Sequence, residues 1–178
     1  MEEKRLSYYF TKKPAKATGV IDQIGMKLFQ KKPVVTFIGF RQAKKGFIFI
    51  HQGPSSECAD CEYYQVCIKN LEVGRVYRIV RLREKIFPCK LHEAGARVVE
   101  VVESEILATI SSKLAIEGAV ITFQRQECDM QTCEHYEHCV PRGLIDGDRC
   151  TILEVGENVS CSMGLSLVKA VLCRLPAS

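Results

Sequence analysis

Hydrophobic positions along the chain fall into short runs of β-branched and aromatic residues that are separated by glycines. In the first half, these runs cover residues 37–40, 47–51, 76–82 and 97–102, with glycines at positions 46, 74 and 95. Runs of this length and composition, bounded by glycine, are typical of β-strands. The run 76–82 alternates only in part, so we expect it to have one buried face and one mixed face.

The second half of the chain repeats the pattern of the first half. Residues 34–102 align with residues 106–172 at an offset near 72. The offset pairs identical residues in order: Gly46 with Gly118, Cys61 with Cys133, Cys67 with Cys139, and Cys89 with Cys161. So many identities at one offset indicate a tandem duplication. The second set of predicted strands covers residues 105–110, 119–123, 150–155 and 165–172.

These features predict a mainly β protein of two tandem, pseudo-symmetric four-strand repeats with Cys-rich loops. An α+β fold is the alternative. Helix is expected only as single turns, within the Cys loops or in the link 111–117. We place a basic, flexible arm at residues 1–33, the first repeat at 34–103 and the second at 104–178. Each repeat alone is too small to bury a core, so we expect the two to form one globular body.

The net charge of +4 is concentrated at the N-terminus. Residues 1–33 hold eight Lys and Arg against three Asp and Glu, whereas the remainder holds 17 against 18 and is nearly neutral. The arm also carries Tyr8, Tyr9 and Phe10 between its basic residues. It is either a contact segment for nucleic acid or a protein partner, or a solvated extension. The near-neutral body argues against a broad phosphate-binding face.

The sequence contains neither a membrane segment nor an export signal. No stretch approaches the roughly 20 apolar residues that span a bilayer. The N-terminus lacks the apolar core and the small-residue cleavage site of a signal peptide. We therefore expect a cytoplasmic protein with no membrane association. In that reducing compartment, ten cysteines indicate metal binding more than disulfides.

Two groups of closely spaced cysteines dominate the candidate chemistry. The first group has the spacing C-x2-C-x5-C and the second has C-x4-C-x5-C, and one further cysteine follows each group after the next predicted strand. Core packing does not require thiols at short fixed spacing, whereas metal ligands must converge on one centre. The eight candidate ligands are Cys58, Cys61, Cys67 and Cys89 in the first repeat, and Cys128, Cys133, Cys139 and Cys161 in the second.

Four thiolates in each repeat suit either a 4Fe–4S cluster or a zinc ion. Structural zinc usually draws its ligands as two short-spaced pairs, whereas three close ligands and one remote ligand are common around a four-iron cube. We therefore expect two 4Fe–4S clusters, with two zinc ions as the alternative. Cys150 and Cys173 are expected to be buried thiols, with service as a substitute ligand as the alternative. His135 and His138, inside the second cysteine loop, are expected at the surface or beside the ligands, because four cysteines suffice, with nitrogen ligation of the metal as the alternative.

Several longer sequence motifs are also distinctive. They include G-F-I-F-I-H-Q-G-P-S-S-E-C-A-D-C, N-L-E-V-G-R-V-Y-R-I-V, F-P-C-K-L-H-E-A-G-A-R-V-V-E-V, E-G-A-V-I-T-F and M-G-L-S-L. Together they resemble the uncharacterised archaeal protein family 0179 over about residues 33–172. This resemblance implies two cysteine clusters suspected to be iron–sulfur redox centres, the same eight cysteines, and an archaeal cytoplasmic source. The chain departs from the family pattern in its basic arm and at Cys150 and Cys173.

The sequence lacks the motifs of several common enzyme classes, including G-x-G-x-x-G, the P-loop, H-E-x-x-H and G-x-S-x-G. We therefore expect a one-electron carrier or redox accessory protein, with a redox partner protein, in preference to an enzyme. The alternative is a module that binds nucleic acid or protein, whose loops are held by zinc or clusters without a redox role. An enzyme with an open iron site is a third hypothesis, for which the sequence shows no substrate-binding group.

Overall fold

Two four-stranded antiparallel sheets follow one another along the chain in a computed structural model that describes residues 31–176. The first sheet contains β1 (Val34–Gly39), β2 (Ile48–Ile50), β3 (Val76–Phe87) and β4 (Ala96–Glu103). The second contains β5 (Ile106–Ser111), β6 (Val120–Thr122), β7 (Arg149–Val159) and β8 (Leu167–Arg174). The predicted mainly β fold of two four-strand units is confirmed. Apart from residues 31–33, the predicted arm lies outside the described residues.

The two sheets have the same topology. Their strand orders are β1-β4-β3-β2 and β5-β8-β7-β6, so each strand has a counterpart in the other sheet. Their irregularities also correspond, because the register shifts between Ile79 and Arg81 in β3 and between Ile152 and Glu154 in β7. Bulges are conserved among related structures. A shared topology with bulges at equivalent positions therefore supports a tandem duplication.

Strand β3 is longer than the alternating pattern indicated. It continues past the predicted end at residue 82 to Phe87, and its pairing with β4 is interrupted between Leu82 and Ile86. The interruption contains three charged, exposed residues. The pattern of apolar positions therefore does not predict a strand there. Pairing then resumes where Ile86 lies opposite Arg97. This extension carries the end of β3 towards the cysteine loop.

Helical structure is restricted to single turns in the described part of the chain. These are the 3₁₀ turns Ser56–Cys58 and Ser112–Leu114, the π-helical turn Gln65–Lys69 and the α-helical turn Tyr136–Cys139. Three lie in the cysteine loops and one in the link between β5 and β6, as the sequence predicted. No helix within residues 31–176 is long and apolar enough to cross a membrane.

Each sheet buries its own hydrophobic core, and one residue of the first sheet packs against the core of the second. Ile79 and Val101 belong to the core of the first sheet, and Ile152 and Leu172 to that of the second. Val76, at the start of β3, packs against the core of the second sheet. The two repeats therefore bury apolar surface together, which contributes stability that neither would have alone.

Charged residues at equivalent positions join the two repeats. The Arg75 guanidinium donates hydrogen bonds to both carboxylate oxygens of Asp148, at 2.6 and 3.0 Å. Arg174 donates in the same way to both carboxylate oxygens of Glu103, at 2.6 and 3.0 Å. In the repeat alignment, Arg75 corresponds to Asp148 and Glu103 corresponds to Arg174. Two contacts between equivalent positions place a local twofold axis between the repeats.

Candidate metal centres

The first cysteine loop packs along strand β1. The Thr36 hydroxyl donates to the carbonyl of Cys67 at 2.9 Å, and the Asn70 side-chain amide donates to the carbonyl of Val35 at 2.9 Å. The Cys67 sulfur lies 4.0 Å from the carbonyl oxygen of Phe37. These contacts hold the turn that carries Cys67 against the strand, so the position of this thiol is set by the sheet.

Three aromatic rings connect the same loop to the end of β3. The rings of Phe37 in β1, Tyr63 in the loop and Phe87 at the end of β3 have centroids 5.0 to 5.3 Å apart. Rings at these separations and in tilted or edge-on arrangements attract one another. Because Cys89 follows Phe87 by two residues, the ring cluster brings this remote cysteine towards the loop.

The four cysteines of the first set line one cavity of about 770 Å³. Burial, followed by negative charge on Cys58, Cys89 and Cys61, raises the pKa of the Cys67 thiol to about 11. Ionisation of one thiol therefore opposes ionisation of its neighbours. A metal cation would reverse this repulsion, because thiolates are the form that binds metal.

In the second repeat, charge interactions and one hydrophobic cluster connect the cysteines. Cys139 is buried, and Cys161 packs against the small hydrophobic cluster that contains it. Burial raises the pKa of Cys139, the Thr109 hydroxyl opposes that rise, and charges on Cys128, Cys133 and Cys161 add to it. The remote cysteine of each repeat thus lies near the three cysteines of its own loop.

The geometry differs from that of a compact single-ion site. Within residues 31–176, no group of three or more His, Cys, Asp or Glu side chains is arranged to hold a metal ion. Tetrahedral zinc draws its sulfurs to about 2.3 Å from the metal, whereas a four-iron cube spreads its thiolates because each binds a different iron. Metal binding by either set stays a prediction.

The two remaining cysteines lie in the interior of the second repeat. Cys150 and Cys173 are both buried, on the neighbouring strands β7 and β8. Burial raises the pKa of Cys150 to about 12, and it also raises the pKa of Cys173. Both are therefore protonated thiols at neutral pH, as expected of cysteines that fill a hydrophobic core.

The histidines of the second loop are half-buried. His135 Nε2 lies 3.3 Å from a carboxylate oxygen of the exposed Glu134. Burial lowers the pKa of His138, and its Nδ1 has no hydrogen-bond partner in the described part of the chain. Both side chains lie beside the cysteine loop without forming a ligand group there.

One residue of the first cavity was not singled out in the sequence. His51 follows β2, lines the cavity together with the cysteines, and is buried. Its signal was present in the repeat alignment, where His51 corresponds to the buried Phe123. The other repeat fills this position with an aromatic core residue, so the fold does not require a polar side chain there. The polar residue therefore indicates a local role.

Comparison with known proteins covers both sheets. The profile of the Uncharacterised protein family (UPF0179) matches residues 34–172. A UPF0179 protein of Methanocaldococcus jannaschii is 40% identical over 143 residues, which cover 80% of this chain and 95% of that protein. One from Methanosarcina acetivorans is 43% identical over 141 residues, with coverages of 78% and 94%. One from Pyrococcus furiosus is 41% identical over 129 residues, with coverages of 72% and 88%.

No solved structure matches the chain. The family match begins with the first strand of the first sheet and ends within the last strand of the second. It therefore contains both repeats and all eight candidate cysteines, as the sequence motifs predicted. The chain belongs to the uncharacterised archaeal protein family UPF0179.

Proposed function

We propose that this protein holds two 4Fe–4S clusters, one in each repeat, and exchanges single electrons with a partner protein. The observation that carries the proposal is that the fold brings a three-cysteine loop and a remote cysteine together twice. In the first repeat Cys67 lies near Cys89, and in the second Cys139 lies near Cys161. Two like donor sets at equivalent places suit two like centres in one small protein.

In each set, the four cysteines are the proposed ligands, and neighbouring side chains form their surroundings. When bound, the clusters would supply one-electron redox chemistry. The four thiols of each repeat would hold one cluster, and seven of the eight are half-buried, which keeps the path to a partner short. In the first repeat, the rings of Phe37 and Tyr63 line the same cavity as the thiols, and the Phe87 ring packs against both.

Loading of the first site should be coupled to proton release. Iron binds the thiolate, and burial raises the pKa of the Cys67 thiol to about 11. Binding must therefore provide the free energy to remove that proton, and the affinity for metal should increase with pH. A cytoplasmic location, and a contact of residues 1–33 with nucleic acid or protein, are further predictions within the same proposal.

Anaerobic purification followed by metal analysis tests the proposal. Two cubes require about eight iron and eight acid-labile sulfide per chain, and electron paramagnetic resonance of the reduced protein should show two clusters. The paired replacement Cys58→Ser with Cys61→Ser should remove one half of the iron, and Cys128→Ser with Cys133→Ser the other half. Cys173→Ala, which changes a buried thiol outside both sets, is the matched control and should leave the iron content unchanged.

The same experiment distinguishes the alternative. Two zinc ions per chain without sulfide would contradict an electron carrier and favour a module whose loops are held by metal. A chain that binds neither iron nor zinc under anaerobic conditions would overturn both.

A further inference from the structure

Two exposed methionines lie at the edge of the second cysteine set. Met130 is 42% exposed and follows Cys128 by two residues, and Met163 is 60% exposed and follows Cys161 by two residues. The Ser162 hydroxyl donates to Met130 Sδ at 3.2 Å, so the two segments that carry the methionines are in contact. Apolar side chains from both segments are therefore exposed next to two candidate ligands.

A third apolar side chain extends this surface. Leu165, two residues after Met163, is 42% exposed. We call Met130, Met163 and Leu165 the methionine patch. Single exposed apolar residues need no explanation, whereas neighbouring ones leave in water an apolar area that a partner can bury. Methionine is enriched in protein interfaces, because its flexible thioether side chain adapts to the surface that it meets.

The charged side chains of the loop that holds Met130 are all acidic. Residues 126–141 contain no Lys or Arg and have a formal charge of −4, from the exposed residues Glu127, Asp129, Glu134 and Glu137. The turn 160–166, which holds the other two residues of the patch, contains no charged residue. The methionine patch therefore has an acidic rim on one side and no positive charge within either segment.

The equivalent surface of the first repeat is different. Its loop, residues 54–69, contains three Asp and Glu and one Lys, a formal charge of −2. In the turn 88–94, Leu91 is 47% exposed, but Lys90 and Glu93 lie close to it in the same turn. Since both repeats have the same strand topology, the architecture does not require the methionine patch or its acidic rim.

The sign of the rim selects the kind of partner. A protein that presents Lys and Arg around an apolar centre complements both parts of this surface, and such complementarity speeds association. Nucleic acid and anionic lipid carry the same sign of charge as the rim, so they are repelled from it.

We propose that the methionine patch and its acidic rim are the docking surface for a redox partner protein that presents Lys and Arg around an apolar centre. This inference rests on the proposed function, because it names the kind of partner and the centre that the partner meets. In the docked complex, one electron passes between the cluster of the second repeat and the redox group of the partner. One of the two is oxidised by one electron, and the other is reduced by one.

Carbodiimide cross-linking to cytochrome c, a basic one-electron protein, tests the docking surface. The reagent joins a carboxylate to a lysine amine where the two are in contact, and mass spectrometry identifies the joined residues. The full chain, purified anaerobically, should cross-link through residues 126–141 and not through the carboxylates of residues 54–69, which are an internal control. Raising the salt from about 0.05 M to about 0.3 M should remove the cross-links, because salt screens the rim.

Reversal of two rim charges gives a quantitative test. Glu127→Lys with Glu134→Lys should weaken the binding of cytochrome c about tenfold or more, because the attraction that steers the partner is lost. The iron content should stay unchanged, since neither carboxylate is a proposed ligand. Glu57→Lys with Glu62→Lys makes the same change of charge in the first loop and is the matched control, which should bind as the wild type does.

Replacement of the methionines separates the apolar contact from the charge. Met130→Gln with Met163→Gln keeps the acidic rim and should still weaken binding. Two clusters per chain with cross-links spread equally over both loops, or with none, would overturn the docking surface and leave the proposed function standing. A chain that holds zinc would overturn the proposed function, whereas cross-links confined to residues 126–141 would still support the docking surface.

Discussion

Arg75 and Asp148 occupy equivalent positions in the two repeats, and they bind each other through two hydrogen bonds of 2.6 and 3.0 Å. Both side chains are buried, with 5% and 8% exposed. The guanidinium also donates to Glu72 at 2.8 Å and to the Gly143 carbonyl at 3.0 Å. A buried ion pair with these additional partners is well satisfied, so removing one member leaves a charge without compensation.

Reversal of one charge in this pair should destabilise the protein strongly. Arg75→Asp places two carboxylates together and should lower the free energy of unfolding by about 3–5 kcal/mol, the usual cost of breaking a buried pair. The double change Arg75→Asp with Asp148→Arg restores opposite charges across the local twofold axis and should recover part of that loss. Chemical denaturation of the wild type, both single variants and the double variant gives the coupling energy.

An exposed pair supplies the control for the charge reversal. Arg125 and Asp146 lie 3.6 Å apart with side chains 43% and 58% exposed. Arg125→Ala should change the free energy of unfolding by less than about 1 kcal/mol, because solvent screens exposed pairs. If the double reversal lost as much free energy of unfolding as the two single changes added together, the pairing of Arg75 with Asp148 would be contradicted.

Gly143 and Gly147 allow the packing between the repeats to be measured. Both have a positive φ, of 93° and 92°. A Cβ at Gly143 would lie 2.6 Å from Val76 Cγ2 and 2.8 Å from Ile106 Cδ1, whereas one at Gly147 would meet nothing within 4 Å. Alanine should cost about 1–2 kcal/mol at either position for backbone strain. At Gly143, overpacking should add about 1–3 kcal/mol.

Thermal or chemical unfolding of the two alanine variants measures that difference. Since the backbone strain is nearly equal, the excess loss in Gly143→Ala reports the contact of residues from both repeats. Equal losses of stability in the two variants would mean that Gly143 is not packed closely against Val76 and Ile106.

The choice of the remote cysteine in the second repeat can be tested by metal content. Cys161 lies near Cys139, whereas Cys150 and Cys173 are buried, protonated thiols of the core. Cys161→Ser should remove about one centre per chain, because a required ligand is lost. Cys150→Ala and Cys173→Ala should keep both centres. Retention of both centres in Cys161→Ser, with loss in Cys150→Ala, would reverse the assignment.

Alkaline pH should weaken the fold through Cys150. Its pKa is raised by burial from the ordinary 9.0 to about 12 in the folded chain. The unfolded chain therefore loses this proton first, so the contribution to stability is complete below pH 9 and is lost as pH rises from 9 to 12. The slope for one proton is about 1.4 kcal/mol per pH unit. Denaturation across this range should show a flatter slope in Cys150→Ala, and an unchanged slope would contradict the burial of this thiol as the cause.

Much of the fold could be predicted from the repeat. Identical glycines and cysteines at one offset showed which predicted strand of the first half corresponds to which strand of the second. The extension of β3 to Phe87 could not, since three charged residues between Leu82 and Ile86 interrupt the apolar pattern on which strand prediction depends. Backbone pairing with β4 resumes beyond this interruption, at Ile86 and Phe87, and so extends the strand. Such pairing between distant segments is not visible in local composition.

The site shows a similar division. Spacing alone grouped the cysteines of each loop, and the alignment assigned Cys89 and Cys161 as their remote partners. Neither spacing nor alignment indicated that His51 has an unpaired nitrogen, because this depends on how the loop after β2 folds back towards Ile68. The alignment also placed Arg75 on Asp148, but only the structure shows that equivalent positions face each other.

The charges at the junction bear on the ancestry of the chain. Because equivalent positions meet at a twofold axis, a dimer of two first repeats would place arginine against arginine at position 75 and glutamate against glutamate at position 103. A dimer of two second repeats would oppose aspartate to aspartate and arginine to arginine. Either self-association is repelled at both contacts, whereas the fused chain is attracted at both. If a half-length ancestor paired with itself, its junction carried other side chains, and the present ones were acquired after the gene doubled.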